Sequence, residues 1–310
     1  MKNTNVAKTR WLIIACVGVF LFDSLHLAMG GRARQEDETR DLTRTAWKER
    51  RKGAAADAAP GRYKIIQRMP KGTPAALVAE DSEIGVTLWR LRTVRPQDAM
   101  EIREIVQHAK GGPREQWTPE RVAADTAFVE KQMARLSIES LRAGFLYVIN
   151  RTKYKGGTYG DPYLIFPTQQ IYDGDNKVEA GRAIQIPGPN EEPFTVDRSE
   201  ARPNELQESE ELIILVTPQT LQNFPVAPPD RQKLSQESVE NLIKKYAASY
   251  EVAEKIGSQG QSITIREKQA SRTAEARLLT NDPYPQTIYR LAAKPGEAML
   301  MKFEIKVVSK

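Results

Sequence analysis

Ala134-Arg-Leu-Ser-Ile-Glu-Ser-Leu-Arg-Ala-Gly-Phe-Leu-Tyr-Val-Ile149 is the stretch that decides the fold. Its first half alternates, with Ala134, Leu136 and Ile138 on one side and Arg135, Ser137 and Glu139 on the other, which is the period-2 mark of a half-buried strand. A short turn leads through Gly144 into Phe145–Ile149, apolar on both sides, and such a run belongs to a central strand covered above and below.

Working outward, Ile84–Arg92 alternates in the same way, and Tyr163–Phe166 is a buried strand ended by Pro167. Ala183–Pro187, Pro193–Val196 and Glu211–Val216 supply further strands, punctuated by Gly, Pro and Asn. Many short strands of this kind predict a mainly β protein, with an antiparallel β-sandwich, Ig-like in outline, over residues 76–218. Between the first strands, Pro96 is expected to open a short helix, since Ala99, Ile102, Ile105, Val106 and Ala109 recur at three- and four-residue spacing before Gly111-Gly112-Pro113.

Residues 219–310 read as a helical and β C-terminal region. The proline-rich connector Asn223–Pro229 precedes a helix capped by Ser235, with Val239, Leu242, Ile243, Tyr246, Tyr250, Ala253 and Ile256 on one stripe and Gly257 as its stop. Strands are expected at Ser262–Lys268 and Gln286–Ala292. The last one should turn Met299, Met301, Phe303, Ile305 and Val307 inward.

The other end of the chain points to export. A twelve-residue apolar run, Trp11–Phe22, follows Lys2, Lys8 and Arg10 and is closed by Asp23. It is short for a bilayer core of about 30 Å but suits the hydrophobic region of a signal peptide over residues 1–30. Ala28 and Gly30 fit the peptidase, so cleavage is expected between Gly30 and Gly31, with Ala33 as another end point. An uncleaved anchor is the second reading. Acylation at Cys16 is a third, disfavoured because that cysteine sits in mid-run rather than at its end. No other apolar run approaches a span, and a mean hydropathy of −0.53 excludes a multi-span membrane protein.

The net charge of +6 is concentrated early: residues 32–71 carry twelve Lys/Arg against six Asp/Glu, whereas residues 72–310 carry 31 against 33. The body lacks the basic scaffold that nucleic-acid binding requires, and nucleic acid is not an expected partner. Residues 31–75, with the run Gly53–Pro60, read as a flexible basic arm, either a solvated spacer or a tether weakly drawn to anionic surfaces. Membrane contact is expected only through that arm or through an uncleaved leader.

Catalytic chemistry has little to work with. Cys16 is the sole cysteine and His108 the sole histidine beyond residue 26, so no disulfide, thiol nucleophile, triad or zinc site is expected, and no cofactor. Asp173-Gly-Asp-Asn176 fails the full calcium-loop pattern and reads as a turn. Lys155-Gly-Gly-Thr-Tyr-Gly160 lacks the GK[ST] of a phosphate loop. Met299 and Met301 read as core rather than as metal ligands. Glu139, Asp161 and Glu211 are the acids a glycosidase could use, given separations of about 5–9 Å. Tyr154, Tyr159, Tyr163 and Tyr172 surround the one long Gly-rich loop and form the candidate contact surface; the competing reading has them roofing the sandwich.

Gly144–Arg151, Leu164-Ile-Phe-Pro-Thr168, Gly181-Arg-Ala-Ile-Gln-Ile-Pro187 and Pro193-Phe194, in that order, resemble a bacterial family known as domain-of-unknown-function family 4384 over residues 84–216. Leu279–Arg290 and Lys294-Pro-Gly296 are similar to a tail found on some of its members. Phe145 stands where tyrosine is commoner in the family. The resemblance implies a β-sandwich accessory module, found alone behind export signals or attached to other domains, for which no catalytic residues are established. The expected function is an exported, periplasmic or extracellular, non-catalytic binding or scaffolding protein whose partner is an envelope protein or wall polymer. The alternative is a carboxylate-based hydrolase of wall polymer.

Overall fold

The computed structural model describes residues 47, 62–68, 81–107, 113–189, 191–196, 206–222, 224, 231–273 and 275–308. The expected export signal with its expected Gly30/Gly31 cleavage point, Cys16 and His108 lie outside the described residues.

The protein is mainly β, two sheets arranged as a sandwich. The strands are β1 (Tyr63–Gln67), β2 (Glu83–Thr93), β3 (Glu104–Gln107), β4 (Arg114–Val122), β5 (Ala127–Phe128), β6 (Met133–Ser140), β7 (Gly144–Tyr154) and β8 (Tyr163–Phe166). They continue with β9 (Lys177–Val178), β10 (Ile184–Ile186), β11 (Phe194–Thr195), β12 (Gln207–Thr217), β13 (Gln232–Lys233), β14 (Tyr250–Lys255), β15 (Thr287–Leu291) and β16 (Met299–Val307). The α-helices are α1 (Gln236–Tyr246) and α2 (Ile265–Ala270), and 3-10 turns lie at Met100–Ile102 and Tyr172–Gly174.

One sheet has nine strands, in the order β1-β14-β15-β2-β4-β3, with β6 on the other edge of β2 and β10 and β11 beyond it. The other has seven, β13-β8-β7-β12-β16-β5, with β9 also on β7. Pairing is antiparallel apart from the two-residue β5, which runs parallel to β16.

The deciding stretch behaves as its pattern requires. Leu136 and Ile138 of β6, Ile84, Val86 and Leu88 of β2 and Tyr289 of β15 meet Leu146 and Val148 of β7, Leu212 and Ile214 of β12 and Phe303 of β16 in the shared core. Tyr147 and Ile149, on the opposite side of β7, are buried under Val239, Leu242, Ile243 and Tyr246 of α1. The central strand is therefore covered on both sides, by the facing sheet and by the helix. Ser235 caps α1, its Oγ accepting from Ser238 N at 3.1 Å.

Five expectations differ from the structure. Residues 219–310 are no separate region: β16 runs beside β12 over Ser209–Val216, and β15 pairs with β2, so both sheets are completed by late strands. The arm expected to be flexible over 31–75 contains β1, which pairs with β14, and Trp47 at 0% exposure, packed with Tyr63, Leu141 and Ile288. Two aromatics suffice there because they fill a depression in the outer face of a finished sheet.

The helix expected after Pro96 is a single 3-10 turn at Met100–Ile102 followed by β3. Its apolar residues disperse: Ile102 packs on Trp89, Val106 on Leu91, and Ile105 is exposed. The long helix ends at Ala247, and Tyr250–Lys255 is strand, with Tyr250 and Val252 turned to the core; the spacing of those residues fits either period. The strand expected at 262–268 is instead α2, whose Thr264 and Glu267 form a capping box.

Candidate functional site

The outer side of the nine-stranded sheet carries a polar layer, because Arg135, Ser137 and Glu139, which face away from the core on β6, are the polar members of their alternating pairs. Thr87 and Trp89 of β2, Arg121 of β4, Arg135 and Glu139 of β6 and Gln185 of β10 are buried, with Ser137 of β6 half-buried among them. All but Ser137 are covered in this way because α2 and its flanking segments lie over them. Trp89 Nε1 donates to Ser137 Oγ at 2.8 Å, and the Arg121 guanidinium sits 4.8 Å from the Trp89 ring centre while pairing with Glu267 of α2. Glu139 accepts from Gly181 N at 3.2 Å. Arg135 pairs with Glu104 at 3.1 Å and donates to the carbonyls of Pro187, Gly188 and Glu191; burial pulls its guanidinium down from its ordinary value.

Between this floor and its roof lies a cavity of about 20 Å³, lined by Thr87, Trp89, Ser137, Glu139, Glu267 and Pro285 among others. A water needs roughly 10–15 Å³, so one water fits and a sugar ring does not. The roof is fastened at several points. Gly181 has φ +83°, and a Cβ there would stand 2.7 Å from the Leu278 carbonyl oxygen, so the close strand-to-roof approach depends on glycine. Lys268, whose Nζ donates to the carbonyls of Glu101 and Arg103, is lowered to about 8 by burial.

The outer side of the seven-stranded sheet holds a second ionic network. Arg151 Nη2 pairs with Glu211 Oε1 at 2.7 Å and Nη1 with Glu240 of α1 at 2.5 Å. The Tyr159 ring covers that guanidinium at 3.6 Å, and its hydroxyl donates to Glu211 Oε2 at 3.4 Å. Lys302 adds a further contact to Glu211 at 3.4 Å.

The four candidate tyrosines are divided among different surroundings. Tyr159 belongs to this network, Tyr163 lies under Arg231 with the guanidinium 4.7 Å from its ring centre, and Tyr154 is 6% exposed. Tyr172 leaves that side of the molecule: its hydroxyl donates to the Ser271 carbonyl at 2.7 Å, under the other sheet's cover, and burial pushes it up to about 12. Tyr154 is thus buried and Tyr172 half-buried, and Tyr159, Tyr163 and Tyr172 each carry an arginine, that of Tyr172 being Arg182 at 5.0 Å from the ring centre.

The three candidate acids do not converge. Glu139 and Glu211 face outward from opposite sheets, with the apolar core between them, and Asp161 is a surface residue paired with Lys233 at 2.5 Å. Asp173–Asn176 is a turn, in which Asp173 has φ 53°, Asp175 pairs with Arg182 at 2.9 Å and Asn176 Nδ2 donates to the Leu146 carbonyl at 3.0 Å. Met299 and Met301 are core residues. Among the described residues no group of three or more His, Cys, Asp and Glu side chains is placed to hold a metal ion.

Sequence reasoning missed Arg121–Glu267 and Arg151–Glu211–Glu240. The Thr264-x-x-Glu267 spacing signals the capping box but not its arginine, since partners far apart in sequence leave no local trace. Comparison with known proteins finds no matching family model, no similar curated protein and no similar solved structure.

Proposed function

We propose that this chain is an exported, non-catalytic binding or scaffolding protein of the bacterial cell envelope, with an envelope protein or a wall polymer as its partner. The observation that carries the reading is the engagement of the acids on the outer sides of the two sheets and in the cover above them: Glu139 is held by Gly181 N–H, Glu267 by Arg121 and Glu211 by Arg151, Tyr159 and Lys302. Carboxylates locked into ion pairs and backbone contacts serve packing and are poorly disposed to exchange protons with a substrate. The apolar leader at Trp11–Phe22 and the likeness to family 4384 motivate the envelope assignment.

Crosslinking in intact cells followed by mass spectrometry tests it. A reproducible envelope partner is expected, and N-terminal sequencing of the exported form should begin at Gly31. Turnover of wall polymer by the purified protein, abolished by Glu139→Gln or Glu211→Gln, would overturn the reading.

A carboxylate hydrolase is the second reading, and one observation favours it: Glu139 and Glu267 line the same cavity beside Ser137. It requires the roof to lift, because about 20 Å³ excludes a saccharide.

A further inference from the structure

Beyond the apolar core, the inner side of β2 turns charged. Ile84, Val86 and Leu88 face the core, and the next two positions on that side are Arg90 and Arg92. Glu120 of β4 is the register partner of Arg90. Its Oε1 accepts from Arg90 Nη2 at 2.7 Å, and its Oε2 accepts from Arg92 Nε at 3.0 Å and from Arg95 Nη2 at 3.5 Å.

Arg92 is consumed by the frame. Its Nη1 and Nη2 fork onto the two oxygens of Asp98 at 2.7 and 2.8 Å, and Nη2 also reaches Ser262 Oγ at 3.0 Å. Asp98 is fixed further by Arg95 N at 2.7 Å and Thr118 Oγ1 at 3.0 Å. The Arg92 fork holds the Asp98 carboxyl well below the usual carboxylate range. Glu120 and Asp98 are almost fully covered, their side chains 6% and 4% exposed.

Three guanidiniums thus share two carboxylates, leaving a net positive charge. Arg90 and Arg95 each commit one nitrogen, Nη2, to Glu120. Among the described residues their Nε and Nη1 groups donate to no side chain or carbonyl, and their side chains are 35% and 52% exposed. Two planar forks tethered to the same carboxylate, with their remaining N–H edges towards solvent, suit bidentate recognition of an oxyanion.

We propose that Arg90 and Arg95 form a binding subsite for an oxyanion carried by the partner, with Glu120, Arg92 and Asp98 as the rigid frame that presents them. The subsite gives the envelope partner a chemical character, a phosphate or carboxylate group on its surface; the partner's place in the envelope rests on the function proposed above, whereas the subsite does not.

The test follows arginine Nε–Hε signals of the full-length ¹⁵N-labelled chain as sodium phosphate replaces chloride at constant ionic strength, with acetate in a parallel titration. Saturable shifts at Arg90 and Arg95 are expected, and the stronger of the two anions identifies the group recognised. Arg90→Ala or Arg95→Ala should weaken binding about tenfold or more, the worth of a charge-assisted pair. Arg114→Ala, at an exposed position on β4 outside the cluster, should leave it unchanged. Thermal melts establish that each variant is folded. Shifts no larger than in chloride, or equal losses in the Arg114 variant, would overturn the subsite. Intact phosphate binding with no envelope crosslink would overturn the cellular reading alone.

Discussion

Trp47 donates its indole Nε1–H to Glu83 Oε2 at 2.6 Å, while the other oxygen of that carboxylate accepts from Arg290 Nε at 2.9 Å. One buried acid therefore ties a residue far upstream of the sandwich to its first long strand and to one of its late ones. Burial raises the Glu83 carboxyl, opposed by Arg290 and Trp47.

Trp47→Ala should destabilise the fold by about 3–5 kcal/mol, the usual cost of removing a large buried aromatic. Trp47→Phe keeps most of the apolar volume and leaves Glu83 short of a donor, at about 1–3 kcal/mol. Urea denaturation followed by far-UV circular dichroism measures both. An unchanged midpoint for Trp47→Ala would mean that residue 47 is only a passenger in the arm.

Gly85 is where the Trp47 ring and Pro285 come down onto β2: a Cβ there would lie 2.3 Å from Pro285 Cγ and 2.8 Å from Trp47 Cη2. Gly85→Ala is expected to cost about 1–3 kcal/mol through overpacking. Coupling with Trp47→Phe, measured in a double-mutant cycle, should be non-zero because the two sites share this contact. Strict additivity would refute it.

Glu254 is 2% exposed and accepts from Gln286 Nε2 at 2.6 Å and Thr287 Oγ1 at 2.7 Å, both neutral donors. Burial raises its carboxyl above the ordinary value. The folded chain then keeps a proton that the unfolded chain releases near pH 4.3, approximately. This contribution to stability is complete below that pH and is lost as pH rises through the elevated folded value. Glu254→Gln lacks the titration, so its stability relative to the parent should climb between pH 4 and 7. A pH-independent difference in urea midpoints would be the contrary result.

Thr264→Ala removes the side-chain acceptor of the α2 capping box and frees Glu267, which also pairs with Arg121. About 1 kcal/mol of stability should go, with Thr264→Ser restoring most of it. Hydrogen exchange should quicken in 265–270 before it does in β6. Equal protection in both variants would count against the cap as the fastener of the roof.

Much of the sandwich is legible in the sequence because alternation is a local signal. Leu136/Ile138 against Ser137/Glu139 fixes which side of β6 meets the core, and Phe145–Ile149 announces a strand covered twice. Where two periods fit the same residues, the sequence is ambiguous: Tyr250, Ala253 and Ile256 extend a helical stripe, yet Tyr250 and Val252 are also two apart, and pairing with β1 and β15 selects the strand.

The candidate site is barely legible. Arg90, Arg92 and Arg95 look like ordinary surface charges until β4 brings Glu120 alongside, and Trp47 looks like a stray aromatic in a polar arm until β2 supplies Glu83 and the open space above Gly85. Tyr154, Tyr159, Tyr163 and Tyr172 are neighbours along the chain, but successive strand directions send them to different layers.

The position of β16, between β12 and β5, has a kinetic consequence. No nascent fragment ending before Met299 can finish the seven-stranded sheet, since β12 would present its bare edge to solvent. Closure must await a strand made long after β7, which lengthens the interval in which the unfinished polypeptide is exposed to sticking to its neighbours.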